Sequence, residues 1–324
     1  MHDLMEEKKM SYLHYKAINW NEIEDELDHA AWERATSLFW LDTRIPVSND
    51  LTDWQALTLT EQKVMNKNVA ALATLTTFQS LNGYKVIKNS PHTQQEAAIY
   101  NSIQFIETVH TKTYNRLLMA FNSPEKVEEL LQWADEDPHL QKRLHLIHDL
   151  YAEESILKKR LANLCLEGIL MYSGLYLFLH YWTEKRFTNV AEMIKLVVMN
   201  ESLHCQYLAN KLRISLQKLD EKEQKAFKEW VYTTLNYFVG NELDLIEILY
   251  AESDDGKEAQ ILVQQAANKV LANLGFEPLF AGVASELTPI QSLLKKLTTH
   301  DLEPRKSLAN QVETDQMSDD DYDF

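Results

Sequence analysis

Apolar residues recur at helical spacing along most of the chain. The pattern predicts helices over residues 20–40, 60–88, 93–121, 153–184, 189–217, 220–252 and 256–274, with shorter helical pieces near 125–150. No alternation of apolar and polar residues runs long enough to predict a strand. Helix breakers are scarce: glycine and proline number seven each, and no proline stands between Pro138 and Pro278. Starts are marked by Asn21 before EIEDEL, Thr60 before EQKV, Ser123 followed by Pro124, and Asp220 before EKEQ. Gly275 marks a stop. The pattern predicts an all-α helical bundle, with one domain over residues 1–290.

Two stretches depart from this pattern. Residues 164–182, LCLEGILMYSGLYLFLHYW, approach the length of a membrane span. Glu167 and His180 interrupt them, and charge at bilayer depth is costly. A helix buried on all sides at the centre of a bundle is therefore predicted, with no membrane contact. From residue 291 the chain turns polar and then acidic, ending in SDDDYDF. Such a segment cannot bury enough apolar area to offset its ordering entropy. Residues 291–324 are predicted to form a flexible tail. It is either a solubilising tail or a docking peptide anchored by Tyr322 and Phe324.

Net charge removes some functions. The formal charge of −17 argues against a nucleic-acid surface, which needs clustered lysine and arginine. Two cysteines, Cys165 and Cys205, make no disulfide scaffold and suit a reducing cytoplasm. The first residues, MHDLMEEKKMSYLHYK, lack the apolar segment of a secretory signal.

The chemistry is sought in acids and histidines at metal-ligand spacing. Glu-x-x-His occurs four times. Glu26–His29 lies among acidic and polar residues, and Glu136–His139 is split by Pro138; both are read as solvated. Glu107–His110, in SIQFIETVHTKTY, and Glu201–His204, in IKLVVMNESLHCQYL, have apolar surroundings. On a helix, Ile103, Glu107, His110 and Tyr114 form one stripe, and Ile194, Val197, Glu201, His204 and Leu208 another. Glu167 is a third acid, set in the most apolar segment. Three buried carboxylates would protonate or bind cations. With two neutral imidazoles they suit iron or manganese. Ferritin-like carboxylate proteins use this arrangement, with single acids on two helices and Glu-x-x-His on two others. Here one single acid is missing from the 60–88 helix. Cys165 and Cys205 sit at offsets that point away from the ligand faces and are read as buried structural thiols.

Longer motifs carry a family resemblance. FWLDTRIPVSNDLTDW at 39–54, FIETVHTKTY, LEGILMYSG, TNVAEMIKLV, NESLH and the DDDYDF ending resemble the small, radical-generating subunit of class Ib ribonucleotide reductases, in matching order over nearly the whole chain. The resemblance implies a ferritin-like bundle that forms a homodimer. It implies that Glu107 and Glu201 bridge two iron or manganese ions. His110 and His204 would each bind one ion, and Glu167 would be a terminal ligand of the second. It implies that Tyr114 holds the radical and that Trp40 lies on the path to a large catalytic subunit. The tail with Tyr322 and Phe324 would dock on that subunit, and a flavodoxin-like protein would act as activator.

Three positions depart from the family. Thr76 replaces an aspartate ligand, so two divalent cations would face three carboxylates and the first metal site is expected to be weakened. Asn200, preceded by Met199, replaces the acid before the second Glu-x-x-His pair. Between Phe280 and Tyr322 there is no tyrosine or tryptophan, so a relay position in the tail is empty. Three functions follow as expectations. They are a radical-generating enzyme subunit, a ferritin-like oxidase with its own small substrate, and a divergent non-catalytic or regulatory partner.

Overall fold

Every regular element among the described residues is helical. The computed structural model describes residues 17–88, 93–283 and 288–298. The helices are α1 (Glu26–Ser37), α2 (Leu51–Gln55), α3 (Leu59–Lys88), α4 (Gln94–Phe121), α5 (Pro124–Glu136), α6 (Pro138–Ala152), α7 (Ile156–Cys165), α8 (Tyr172–Thr183), α9 (Thr188–Leu216), α10 (Glu221–Leu249), α11 (Gly256–Asn273) and α12 (Pro289–Thr298). Short 3-10 turns at Asp42–Arg44 and Val47–Asp50 precede α2. The helices α3, α4, α7–α8 and α9 pack around the main core, and the others surround them.

The apolar segment at 164–182 is the bundle's central rod. Its most apolar stretch is wholly buried inside the protein. It is not one continuous α-helix, however. A π-helical turn, Leu166–Leu170, separates α7 from α8 and contains Glu167. Such a turn holds one residue more than an α-turn and re-aims the side chains around it. At Gly168 an added Cβ would lie 2.7 Å from Val270 Cγ2 and 3.2 Å from Cys205 Sγ. The missing side chain lets α11 and α9 close on the turn that carries Glu167.

Several boundaries differ from the sequence pattern, each for a local reason. Helix α1 begins at Glu26 rather than 20, because the Asp25 carboxylate accepts from the Asp28 amide at 3.0 Å. The cap of α3 is Thr58, not Thr60: Thr58 and Glu61 exchange side-chain and backbone hydrogen bonds. Ser123 with Pro124, Asp220 with Glu223, and Gly275 at φ 76° act as predicted. Helix α12 was not predicted. It runs across the expected boundary at 290 and packs on α8 and α9, with Ile290 buried. The polar turn in the sequence is thus its outer face. Tyr322 and Phe324 lie outside the described residues.

Helix α9 carries Glu201 and His204 but has no cap of its own, since Phe187 before it has φ 51°. Two acids from a distant segment replace the cap. Asp50 Oδ2 accepts from the Val190 amide at 2.7 Å, and its Oδ1 from Asn189. Asp53 Oδ2 accepts from the Phe187 amide at 2.7 Å. These carboxylates also match the positive end of the helix dipole. Asp50→Ala leaves buried amides unpaired and is expected to cost about 2–3 kcal/mol of stability. Urea unfolding of the two proteins checks this.

Candidate metal centre

Five of the residues marked by the sequence converge. Glu107 and His110 project from α4, Glu167 from the π-turn, and Glu201 and His204 from α9. All are buried, none more than 2% exposed. One ligand atom each from Glu107, Glu167, Glu201 and His204 lie within 4.8 Å of one another. His110 joins them: its Nδ1 is 2.9 Å from Glu201 Oε1 and 3.6 Å from Glu107 Oε1. His204 Nδ1 is 3.3 Å from Glu107 Oε1, 3.5 Å from Glu167 Oε2 and 3.8 Å from Glu201 Oε2.

The contacts have a definite order. Glu107 and Glu201 each face both imidazoles, whereas Glu167 faces only His204. The His204 side therefore has three acids within reach and the His110 side two. Helix α3 brings no acid to this cluster. Thr76 is fully buried, and its hydroxyl donates to Leu72 O at 3.0 Å and Ala73 O at 3.3 Å.

Hydrogen bonding separates the carboxylates further. Both oxygens of Glu107 and Glu201, and Nδ1 of both histidines, lack a hydrogen-bond partner despite their short contacts. Glu167 is held at both oxygens by α3: Gln79 Nε2 donates to Oε1, and Tyr84 Oη to Oε2 at 2.9 Å. Gln79 also donates to Asn163 Oδ1 and accepts from Tyr151 Oη at 2.7 Å. Gly83, one turn further along α3, leaves the space that the Gln79 side chain fills.

The electrostatics follow from this crowding. Burial disfavours the charged form of His110, but Glu107 and Glu201 outweigh it and raise its pKa to about 10. His204 is likewise raised to about 10 against burial. Burial and Glu107 push Glu201 up to about 8, and raise Glu167 as well. Burial also acts on Glu107, but the two imidazoles hold it down, at about 2. Protons on the imidazoles thus balance the acids when nothing else does. Three buried carboxylates and two imidazoles, with the oxygens of Glu107 and Glu201 and both Nδ1 atoms left without a hydrogen-bond partner, fit a pair of iron or manganese ions.

Two aromatic residues flank the cluster. Tyr114 is fully buried and its hydroxyl has no partner. Burial, then Glu201 and Glu107, raises its pKa well above the usual range. Trp40 Nε1 donates to Asn200 Oδ1 at 2.8 Å, and that oxygen lies 3.4 Å from His110 Nε2. Trp40, Asn200 and His110 are therefore linked, through a neutral amide.

Other sequence candidates stay apart. Glu26 and Glu136 are exposed, and His139 begins a different helix from Glu136. Cys165 and Cys205 are buried, and burial raises both thiols. Sequence reasoning missed Gln79, Tyr84 and Asn163. Gln79 and Tyr84 lie one and two turns beyond Thr76 on α3, and that spacing was the available signal.

The chain matches the family described as ribonucleotide reductase, small chain, over residues 17–286. Subunit beta of ribonucleoside-diphosphate reductase 2 from Escherichia coli is 33% identical, covering 84% of this chain and 86% of that protein. The Bacillus subtilis subunit beta is 29% identical and covers 96% of this chain and 97% of its own length. The dimanganese(II)-NrdF structure from Streptococcus sanguinis superposes with a TM-score of 0.84 at 38% identity, covering 88% of this chain and 100% of that one. With its helices and its acid–imidazole cluster in this arrangement, the chain belongs to the ribonucleotide reductase small-chain family.

Proposed function

We propose that this chain, as the small subunit of a ribonucleoside-diphosphate reductase, generates a tyrosyl radical at a dinuclear metal centre and passes it to a large catalytic subunit. The observation that carries this is the position of Glu107 and Glu201. Each faces both imidazoles, and neither has a hydrogen-bond partner. They would bridge two ions, with His110 on the first and His204 and Glu167 on the second. The bound pair supplies a one-electron oxidant strong enough for a phenol. Oxygen and imidazole donors accept iron or manganese. The dimanganese(II) centre of the S. sanguinis relative makes manganese the first ion to load.

The chain's own residues do the rest. Tyr114 is shielded from water and would give its electron to that oxidant and its hydroxyl proton to Glu201 or Glu107, the two carboxylates that act on it. The Trp40–Asn200–His110 link would carry the oxidising equivalent outward. Asn200 orients Trp40 but cannot take up charge as a carboxylate would. The acidic tail with Tyr322 and Phe324 would dock on the large subunit, a flavodoxin-like protein would supply oxidant, and the chain would act as a homodimer. Convergence of all five ligands favours a working centre over a catalytically silent partner.

Metal content and electron paramagnetic resonance test this after loading with Mn(II) or Fe(II) and oxidation. About two ions per chain and a tyrosyl signal are expected. One ion or none, with tail-dependent binding to the large subunit, would favour the silent partner. Loading should also release protons. Ligand imidazoles must be neutral, and both are raised to about 10 without metal. At pH 7 full loading should displace about two protons or more, and affinity should rise with pH between 6 and 9. Titration with Mn(II) in unbuffered solution measures the release. Finally, Thr76→Asp should tighten binding of the more weakly held ion by about tenfold or more. No gain would place Thr76 away from the ligand position.

A further inference from the structure

We propose that Tyr84 is a second oxidisable residue of this centre and opens a three-tyrosine chain leading away from it. The inference rests on the metal centre proposed above; the three tyrosines lie outside its ligand set, and Tyr84 touches it through Glu167.

A phenol gives up an electron more easily when its hydroxyl proton can leave at the same time, so a base hydrogen-bonded to its oxygen favours oxidation. Tyr114 has no hydrogen-bond partner. Tyr84 has one, since its Oη donates to Glu167 Oε2 at 2.9 Å. Among the described residues it is the one phenol that donates to an acid or imidazole of the cluster. Its ring stands edge-on to His204, with centroids 6.2 Å apart. It is fully buried beside Ile87, Ile99 and Ile103, which exclude water.

The surroundings of Tyr84 repeat the same unit. Tyr100 lies 5.9 Å from Tyr84 between ring centroids, and Tyr207 lies 6.0 Å from Tyr100. Tyr100 Oη donates to Glu96 Oε1 at 2.6 Å, and Tyr207 Oη donates to Asp28 Oδ1 at 2.7 Å. Each of the three phenols therefore has its own carboxylate. Arg160 and Lys211 face Glu96, and Lys211 faces Asp28, so each outer acid has a cation beside it. Trp40 reaches the cluster through His110, and Tyr84 reaches it beside His204. The centre thus has two aromatic exits, one for each imidazole.

The steps balance. Tyr84 would give one electron to the oxidant that a bound metal pair supplies, and its hydroxyl proton to Glu167 Oε2, leaving a neutral phenoxyl radical on Tyr84. That radical is refilled when Tyr100 gives it an electron. The proton then returns from Glu167 to Tyr84 Oη, and the Tyr100 proton passes to Glu96. The same exchange with Tyr207 sends its proton to Asp28. The chain would draw off an oxidising equivalent that is not passed on through Trp40.

The test uses full-length wild type, Tyr114→Phe, Tyr84→Phe and the double variant, grown with ring-deuterated tyrosine. Each is loaded with Fe(II), exposed to dioxygen and frozen at times from milliseconds to minutes. Metal content and electron paramagnetic resonance are read on the same samples. Tyr114→Phe should keep a tyrosyl signal that narrows on deuteration, and the double variant should lose it at unchanged iron content. Tyr114→Phe that binds iron as wild type does but shows no tyrosyl signal at any time overturns the role of Tyr84. So does a signal that survives in the double variant. Wild type that binds no iron, or binds it without forming any tyrosyl signal, overturns the metal centre and the Tyr84 proposal together.

Discussion

Three carboxylates held in an apolar interior set the terms for the rest of this structure. Moving a carboxylate out of water carries a penalty of several kcal/mol even after the protein relaxes. Three together would rival the whole stability of a typical domain, about 5–15 kcal/mol. Glu107, Glu167 and Glu201 can remain in the core only with positive charge among them. Two imidazoles provide it in one state, and cations that displace their protons provide it in another. The short contacts of His110 and His204 to these acids are the protonated version of that compensation.

The bundle holds this cluster by means that lie far from it in sequence. Asp50 and Asp53 terminate α9 and so fix the height of Glu201 and His204. The π-turn points Glu167 at His204, and Gly168 lets α9 and α11 close behind it. Helix α3 provides no acid, but it grips Glu167 through Gln79 and Tyr84. The three acids consequently differ in kind. Glu167 is anchored in place, whereas Glu107 and Glu201 are left with bare oxygens. The asymmetry matches a centre whose His204 side is better furnished than its His110 side.

Much of this was legible in the sequence because it depended on periodicity. The long helices, and the two Glu-x-x-His stripes at Glu107 and Glu201, follow from helical spacing among apolar residues. Glu167 stood out as the acid in the most apolar segment. Contacts made across the bundle were not legible. Nothing local marks Asp50 as the cap of a helix that begins 138 residues later, as Thr188 does. Nor does anything local mark Tyr84 as the partner of Glu167. The π-turn was hidden because one extra residue in a uniformly apolar run leaves the hydrophobic pattern unbroken. Helix α12 was hidden for the opposite reason, since its lysines mask a narrow apolar face. The ending with Tyr322 and Phe324 lies outside the described residues, so the docking proposed for it rests on the sequence.

Anomalous diffraction from crystals soaked in Mn(II) tests the central claim most directly. Two peaks about 3.5–4 Å apart are expected between His110 and His204, spanned by Glu107 and Glu201, with the peak beside His110 the weaker. Crystals in which manganese binds elsewhere, while the acids and imidazoles keep their direct contacts, would contradict the account.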